Sequence, residues 1–314
     1  MAVNRDASQP TTSHHRDFDS AYEEILSSSV SLTSAQYLFE KRNGRTYHSF
    51  AKNREYVLPN DEPERDRLDM QFWAFHEILD DAYHFAPIGD NPQRILDVGT
   101  GTGTWAIDMG DEYPSAIVTG TDLSPIQPLW VPPNVAFRLH DCLHYPWDFY
   151  NQFDLIHTQM LNGFAVKDWF QFYTEAYKNL KPGGWIECHE ADSWVRSDDE
   201  SLPPDGAIVT WLELWFRGGG KEYQMSGQDL ADDMRKAGFV DITVKEFKAP
   251  IGPWMKSQIN SGILSLNCLV EHLEGFSNRI FTEKLGMTND EMKAVVRPAV
   301  REWRNKSVHT YWPL

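Results

Sequence analysis

The chain has 314 residues, 41% of them hydrophobic, and carries a formal net charge of -17 from 46 acidic and 29 basic residues. A charge of that sign repels polyphosphate backbones, which argues against nucleic acid as a partner. No apolar run reaches membrane-spanning length, and the start Met-Ala-Val-Asn-Arg-Asp is too polar for a secretory signal. The expectation is a soluble intracellular protein with one sizeable core and added segments. Cys142, Cys188 and Cys268 lie far apart with no CxxC pair, so neither a metal site nor a disulfide framework is expected.

Residues 1–30 are polar and rich in Ser, Asp and His, and read as a disordered tail in which His14-His15 is solvated. Residues 31–90 read as an N-terminal helical cap. Its main helix starts near Asn60-Asp61-Glu62-Pro63, where Asp61 can cap, Glu64 follows three residues on and Pro63 suits a first turn. Leu68, Phe72, Phe75 and Leu79 then recur at helical spacing, and this helix is expected to pack over the ligand site.

Residues 91–249 alternate between strands and helices. Strands are expected at 94–98, 116–120, 135–139, 153–157, 184–188 and 241–245. The clearest helix runs from Lys167 to Leu180 and is stopped by Lys181-Pro182-Gly183-Gly184. Such alternation predicts an α/β fold: a doubly wound, mostly parallel sheet, Rossmann-like, with helical caps. Two stretches break the rhythm, 192–225 and 250–305. The second reads as a helical lid with Ile259, Ile263, Leu266 and Leu273 on one face and a capping box at Thr288 and Glu291. Both stretches are expected beside the carboxyl ends of the strands. Residues 306–314 leave room only for a short, truncated final strand.

The chemistry is expected in Asp97-Val98-Gly99-Thr100-Gly101-Thr102-Gly103, the loop after the first core strand. Ligands of open α/β sheets bind there, and glycines let the backbone turn sharply and approach a ligand closely. A dinucleotide site wants G-x-G-x-x-G, but the sixth position here is Thr104 and the third glycine comes one place early. The pattern D-x-G-x-G-x-G suits instead a methionine-bearing nucleoside, with Asp97 ordering the cationic end. Asp122, closing the second strand, can accept from both ribose hydroxyls, and Leu123 can pack on the adenine face. Asp141-Cys142, after the third strand, places a carboxylate near an adenine amino group.

Several blocks together resemble the fungal LaeA-like methyltransferases. They are Gly44 to His48, Tyr56 to Glu62, Asp66 to Asp69, Asp97 to Asp108, Gly120 to Pro128, Trp130 to Val135 and Leu180 to Glu187. The resemblance runs from about Ser31 to the C-terminus and implies a class I fold with S-adenosylmethionine as cofactor. It implies a site on Gly99, Gly101, Asp122, Leu123 and Asp141, with Tyr56 covering the cofactor; Asp97, Gly103 and Cys142 complete the cofactor-binding set expected from the residues themselves. It also implies a role in fungal secondary metabolism or its regulation, in the cytoplasm or nucleus. Two functions stay open: methyl transfer to a small-molecule or protein acceptor, or a cofactor-binding regulatory subunit acting through a velvet-type partner.

Methyl transfer needs a base only for a hydroxyl or protonated amine. Candidates are His189 and Glu190, at the end of the fifth strand; His157 reads as a packed strand residue. Trp194, Trp211, Trp215 and Trp254 are candidates for an aromatic acceptor pocket. In the class I fold the final strand runs antiparallel between the fifth and sixth. Here it is expected to be absent or two to four residues long. The sixth strand would then be poorly paired, with an open edge that invites a homodimer or a partner strand.

Overall fold

The structure, a computed structural model, describes residues 1–5, 39–50, 56–149, 152–192, 194–219 and 225–314. The chain opens with strand β1 (Ala2–Arg5) and the hairpin β2 (Glu40–Arg42) and β3 (Arg45–Tyr47). That hairpin turns on Asn43-Gly44, both at positive φ, as a two-residue turn requires. Helix α1 (Glu62–Ile78) follows, with Asp61 accepting from the Glu64 backbone N–H and Arg45 gripping the same carboxylate at 2.6 Å.

The core then alternates: β4 (Arg94–Val98), α2 (Thr104–Glu112), β5 (Ile117–Asp122), β6 (Val135–Leu139), β7 (Phe153–Gln159), α3 (Trp169–Asn179) and β8 (Leu180–His189). Helices α4 (Ala207–Gly219) and α5 (Gly227–Ala237) precede β9 (Phe239–Thr243) and β10 (Lys248–Ile251). The chain closes with α6 (Ile259–Val270), α7 (Leu273–Arg279), a π turn (Ile280–Lys284), α8 (Asn289–Trp303) and β11 (Thr310–Pro313). The capping box of α8 forms as expected, Thr288 and Glu291 exchanging bonds.

The main sheet has the order β6-β5-β4-β7-β8-β1-β9. The first five of these strands are parallel, and β1 runs antiparallel to both neighbours. Ile95, Leu96, Val118, Leu155, Ile156 and Ile186 are fully buried in the central strands, because helices cover both faces. The mostly parallel, doubly wound architecture is the one the strand–helix alternation predicts.

The edge of that sheet differs from expectation. Residues 2–5 are not part of a disordered tail: they pair with Trp185–Glu187 of β8 and with Phe239–Thr243 of β9. Their short apolar start supplies the reason, since Val3 is fully buried and Ala2 nearly so, and the slot between β8 and β9 offers unpaired backbone on both sides. The sixth core strand is therefore paired, and it lies at 239–243, not 241–245. The final strand β11 is four residues long but joins β10 in a separate two-stranded sheet, Lys248 opposite Pro313. The remainder of the expected tail, with His14-His15, lies outside the described residues.

The lid corrects a second reading. Ile259 and Ile263 of α6 are exposed, and the buried face carries Ser261, Gly262, Ser265, Cys268 and Leu269. Close approach is the cause: a Cβ on Gly262 would sit 2.2 Å from the Gly252 carbonyl oxygen. The small-residue face lets α6 nest against α1 and the β10 segment, where large aliphatic side chains would hold it off. The other lid helices share a core of Trp211, Trp215, Phe281, Val296 and Trp303.

Because Val3 is sealed between two strands, Val3→Ala should destabilise by about 2 kcal/mol, the loss of two methyl groups plus a cavity. Val3→Asp should be more severe, burying an unpaired charge. Urea unfolding measures both, and an unchanged midpoint would mean that β1 does not hold the slot.

Candidate active site

The site begins with two carboxylates at the ends of adjacent strands, Asp97 buried and Asp122 half-buried. Asp97 on β4 accepts from Thr100 Oγ1 at 2.6 Å and lies 2.8 Å from His157 Nδ1. Asp122 on β5 accepts the backbone N–H of Gly101 on one oxygen and that of Ser124 on the other, both at 2.9 Å. The loop also hooks back on β5, with the N–H groups of Gly99 and Thr100 both donating to Thr121 O. A turn this tight places Gly99, Gly101 and Gly103 at φ of +73°, +56° and +86°, where side chains are strained.

The glycines serve different ends. A Cβ on Gly99 would lie 2.5 Å from Leu161 and one on Gly103 2.3 Å from Phe137, so both are needed for close packing. Gly101 has ordinary clearance and needs glycine for its backbone angle. Gly99 and Gly101 border a cavity that also touches Tyr56, Leu123 and Cys142, with Asp122 at its floor. Asp141 borders the outer extension of that cavity beside Tyr56 and Leu123, and its Oδ1 accepts from Leu143 N at 2.9 Å. Gly103 caps α2 behind the turn.

This cradle fits the nucleoside the loop pattern implies. Each Asp122 oxygen accepts one backbone N–H and keeps a lone pair for a ribose hydroxyl. Burial pushes the Asp122 carboxyl up to about 6, against the pull of the Ser124 and Gly101 amides. Burial likewise pushes the Tyr56 phenol up, so it faces the cavity neutral.

His157 is the packed strand residue it was expected to be. It is fully buried and stacks on Trp105, the rings 3.7 Å apart and nearly parallel. His189 sits behind it, Nδ1 at 3.4 Å from His157 Nε2 and Nε2–H donating to Glu187 at 2.7 Å. Burial lowers His189 to about 4 despite Glu187, leaving it neutral at physiological pH. Glu187 also accepts the backbone N–H groups of Phe85 and Ala86, and the His189 bond helps hold it near 2 against the effect of burial. Glu190 accepts Thr158 Oγ1 and the Asn162 backbone N–H, and burial raises it to about 7. His189 and Glu190 border a different cavity, on the β1 side, and not the one beside the glycine turn.

Several residues that shape the site carried no signal of their own in the sequence. Gln127 donates to the Gly101 carbonyl at 2.6 Å, and Asn60 donates to Ser124 Oγ, so the segment after β5 is tied to the turn and to the cap. Arg67, fully buried, pairs with Glu64 at 2.9 Å and donates to Gln71, fixing the α1 face that covers the cavity. A second, largely apolar cavity lies beyond Met160 and Phe164, walled by Phe75, Trp211, Trp215, Leu269 and Phe276. Of the four tryptophans expected at a pocket, Trp211 and Trp215 reach it, while Trp194 stacks on Phe216 and Trp254 on His309.

Comparison with known proteins decides the family. Residues 70–244 match the model of a methyltransferase domain. The chain belongs to that family. The methyltransferase is 38% identical to the methyltransferase pytC of Aspergillus terreus, over 94% of this chain and 92% of that protein. It is 37% identical to the secondary metabolism regulator LAE1 of Cochliobolus heterostrophus, over 86% and 90%. It is 33% identical to the protein-methionine methyltransferase laeA of Emericella nidulans, over 91% and 77%. The chain is a LaeA-like methyltransferase, and its cofactor is S-adenosylmethionine. No helix among the described residues is long and apolar enough to cross a membrane, and no metal-binding group of three or more His, Cys, Asp or Glu occurs among them.

The expected role of Asp122 predicts a pH dependence. Ribose hydroxyls donate more strongly to a carboxylate than to a carboxylic acid, and burial pushes this carboxyl up to about 6. Cofactor affinity in the methyltransferase should be level above pH 7 and fall below about pH 6. Asp122→Asn should remove that acid limb. Asp122→Ala should weaken binding about a hundredfold or more, since each charge-assisted bond contributes roughly 1.5–3 kcal/mol. Calorimetry across pH checks all three, and a wild-type affinity unchanged between pH 5 and 8 would refute the role.

Proposed function

We propose that the protein transfers the S-adenosylmethionine methyl group to a small molecule held in the apolar cavity under the lid. The observation that carries this is a shared wall: Gln71, Met160 and Phe164 border both the glycine-turn cavity and the apolar one. The assigned cofactor contacts are Tyr56, Asp97, Gly99, Gly101, Asp122, Leu123, Asp141 and Cys142, with Gly103 acting through the turn. Bound S-adenosylmethionine supplies a sulfonium-activated methyl group. The residues of this chain then have to align the nucleophile, exclude water and receive any proton released. Met160, just after β7, sits at φ +57°, in the left-handed region that glycine favours, and its N–H donates to His189 O. That bond holds the junction rigid between β7 and β8. Glu190, one backbone bond from Asn162 on the cavity wall, is a better candidate for a proton-accepting role than His189, which is enclosed between Glu187 and His157.

The lid favours an enzyme over a pure scaffold. Among its described residues only Ile259 and Ile263 are large exposed hydrophobics, too little for an extended docking face. A protein partner, of the velvet type that LaeA-like proteins suggest, is the second reading. It has one observation in its favour: Leu129 and Trp130 are 90% and 95% exposed on the segment that Gln127 ties to Gly101. A homodimer through the same two side chains is the other form of that reading. The cytoplasm or nucleus is the proposed compartment.

With methyl-labelled cofactor and a fungal metabolite extract, label should enter the solvent-extractable small-molecule fraction. Trp215→Ala should lower that labelling at least tenfold with cofactor affinity within about threefold of wild type. Label found only in protein would contradict the proposal.

A further inference from the structure

Resting on that reading of the apolar cavity as the acceptor site, the cavity's polar atoms narrow the acceptor's chemistry. The cavity measures about 80 Å³, room for roughly half a dozen water-sized bodies at 10–15 Å³ each. That is the bulk of a one- or two-ring molecule. Trp211 and Trp215 both line it, their rings within 11° of parallel and 5.9 Å apart. The Trp211 indole N–H is already committed to Ser277 Oγ at 2.8 Å, so the indole offers the cavity its apolar face.

Among the described residues that line the cavity, Asp192 is the one charged side chain, and it is paired with Arg196 at 2.7 Å; nearby Arg67 is paired with Glu64 at 2.9 Å. Gln71 Oε1 takes an Arg67 N–H at 2.7 Å. A charged acceptor would therefore meet no free counter-charge on this wall, and desolvating it there would be unfavourable.

Among the described residues lining the cavity, Asn162 carries a buried polar atom without a partner. Asn162 lines the cavity and is 3% exposed. Its Nδ2 donates to two carbonyls, Ala191 O at 3.2 Å and Met225 O at 3.0 Å, and this fixes the other end of the amide as oxygen. Oδ1 is buried and has no hydrogen-bond partner among the described residues. A buried carbonyl oxygen without a donor is rare in folded proteins and calls for an explanation. Ser265, a buried hydroxyl on α6, lines the same cavity and can give or take a second bond.

We propose that Asn162 is the specificity-determining residue for a neutral, planar, apolar methyl acceptor that carries a hydroxyl or N–H donor, which Asn162 Oδ1 accepts. A thioether acceptor such as a methionine side chain has no donor and would leave Oδ1 unsatisfied. A phenol or enol meets the two indoles and the orphan oxygen together, and the bond also orients its oxygen within the cavity.

The test titrates two near-isosteric compounds into the protein saturated with S-adenosylhomocysteine, by calorimetry. One is 2-naphthol, which donates a hydrogen bond; the other is 2-fluoronaphthalene, which cannot and is the more apolar. Wild type should bind 2-naphthol about fivefold tighter or more. Asn162→Leu should lose that preference or invert it, while Trp215→Ala should weaken both compounds and keep their ratio. Equal binding by wild type, or a preference that survives Asn162→Leu, overturns the proposal and leaves a thioether acceptor in play. If neither compound binds while S-adenosylhomocysteine does, the cavity is not the acceptor site, and the underlying reading fails instead. Asn162 also bridges backbone segments. If Asn162→Leu no longer binds S-adenosylhomocysteine, the wild-type ratio decides alone, with a ratio of one or below counting against the proposal.

Discussion

Two carboxylates at the ends of neighbouring parallel strands, Asp97 buried and Asp122 half-buried, impose the constraint on which the site depends. The sheet pairs their backbones but not their carboxylates, and a carboxylate taken out of water needs donors. The loop between β4 and α2 supplies them: the Gly101 amide to Asp122, the Thr100 hydroxyl to Asp97. To reach both, the backbone must turn through left-handed angles, which is why glycines stand at 99, 101 and 103. The turn then exposes bare backbone on one side and carboxylate lone pairs below it, the shape and polarity of a nucleoside cradle. His157, stacked on Trp105, holds Asp97 from behind.

The rest of the molecule closes around that cradle. Helix α1 covers it, held at its start by Arg45 on Asp61 and along its length by the Glu64–Arg67 pair. The segment after β5 is tied to the turn by Gln127 and to the cap by Asn60. Helix α4 and the helices from α6 to α8 share a second core of tryptophan and phenylalanine, and the apolar cavity lies between that core and α1. Glu190, just after β8, reaches the start of that cavity through the Asn162 N–H. The glycine-turn cavity and the apolar cavity thus meet at Gln71, Met160 and Phe164.

The parts of this arrangement that could be read from sequence are the local ones. The glycine loop, the Thr100 bond to Asp97, the cap at Asp61 and the box at Thr288 each join residues two or three apart, and Asp122 shows by its place at a strand end. Chemistry at that range shows in residue type and spacing. The misjudged parts depend on distant neighbours. Nothing in Ala2-Val3 announces a strand, because its partners lie some 180 and 240 residues away. The buried face of α6 was misread for a similar reason: it is chosen by how closely Gly262 can approach Gly252, not by which residues are most apolar. Asn162 has no local signature at all, and its role appears only once α1, α4 and α6 surround it. Arg67, polar in sequence, is among the largest fully buried side chains because Glu64 sits one turn before it.

The central claim is that this glycine turn, with its third glycine one place early and Asp97 before it, is a cradle for S-adenosylmethionine and not for a dinucleotide. Calorimetric titration of the folded protein with S-adenosylmethionine and with NAD at neutral pH tests it most directly. The account predicts one saturable site for S-adenosylmethionine and no heat of binding with NAD. Saturable NAD binding, with S-adenosylmethionine giving no response, would contradict it.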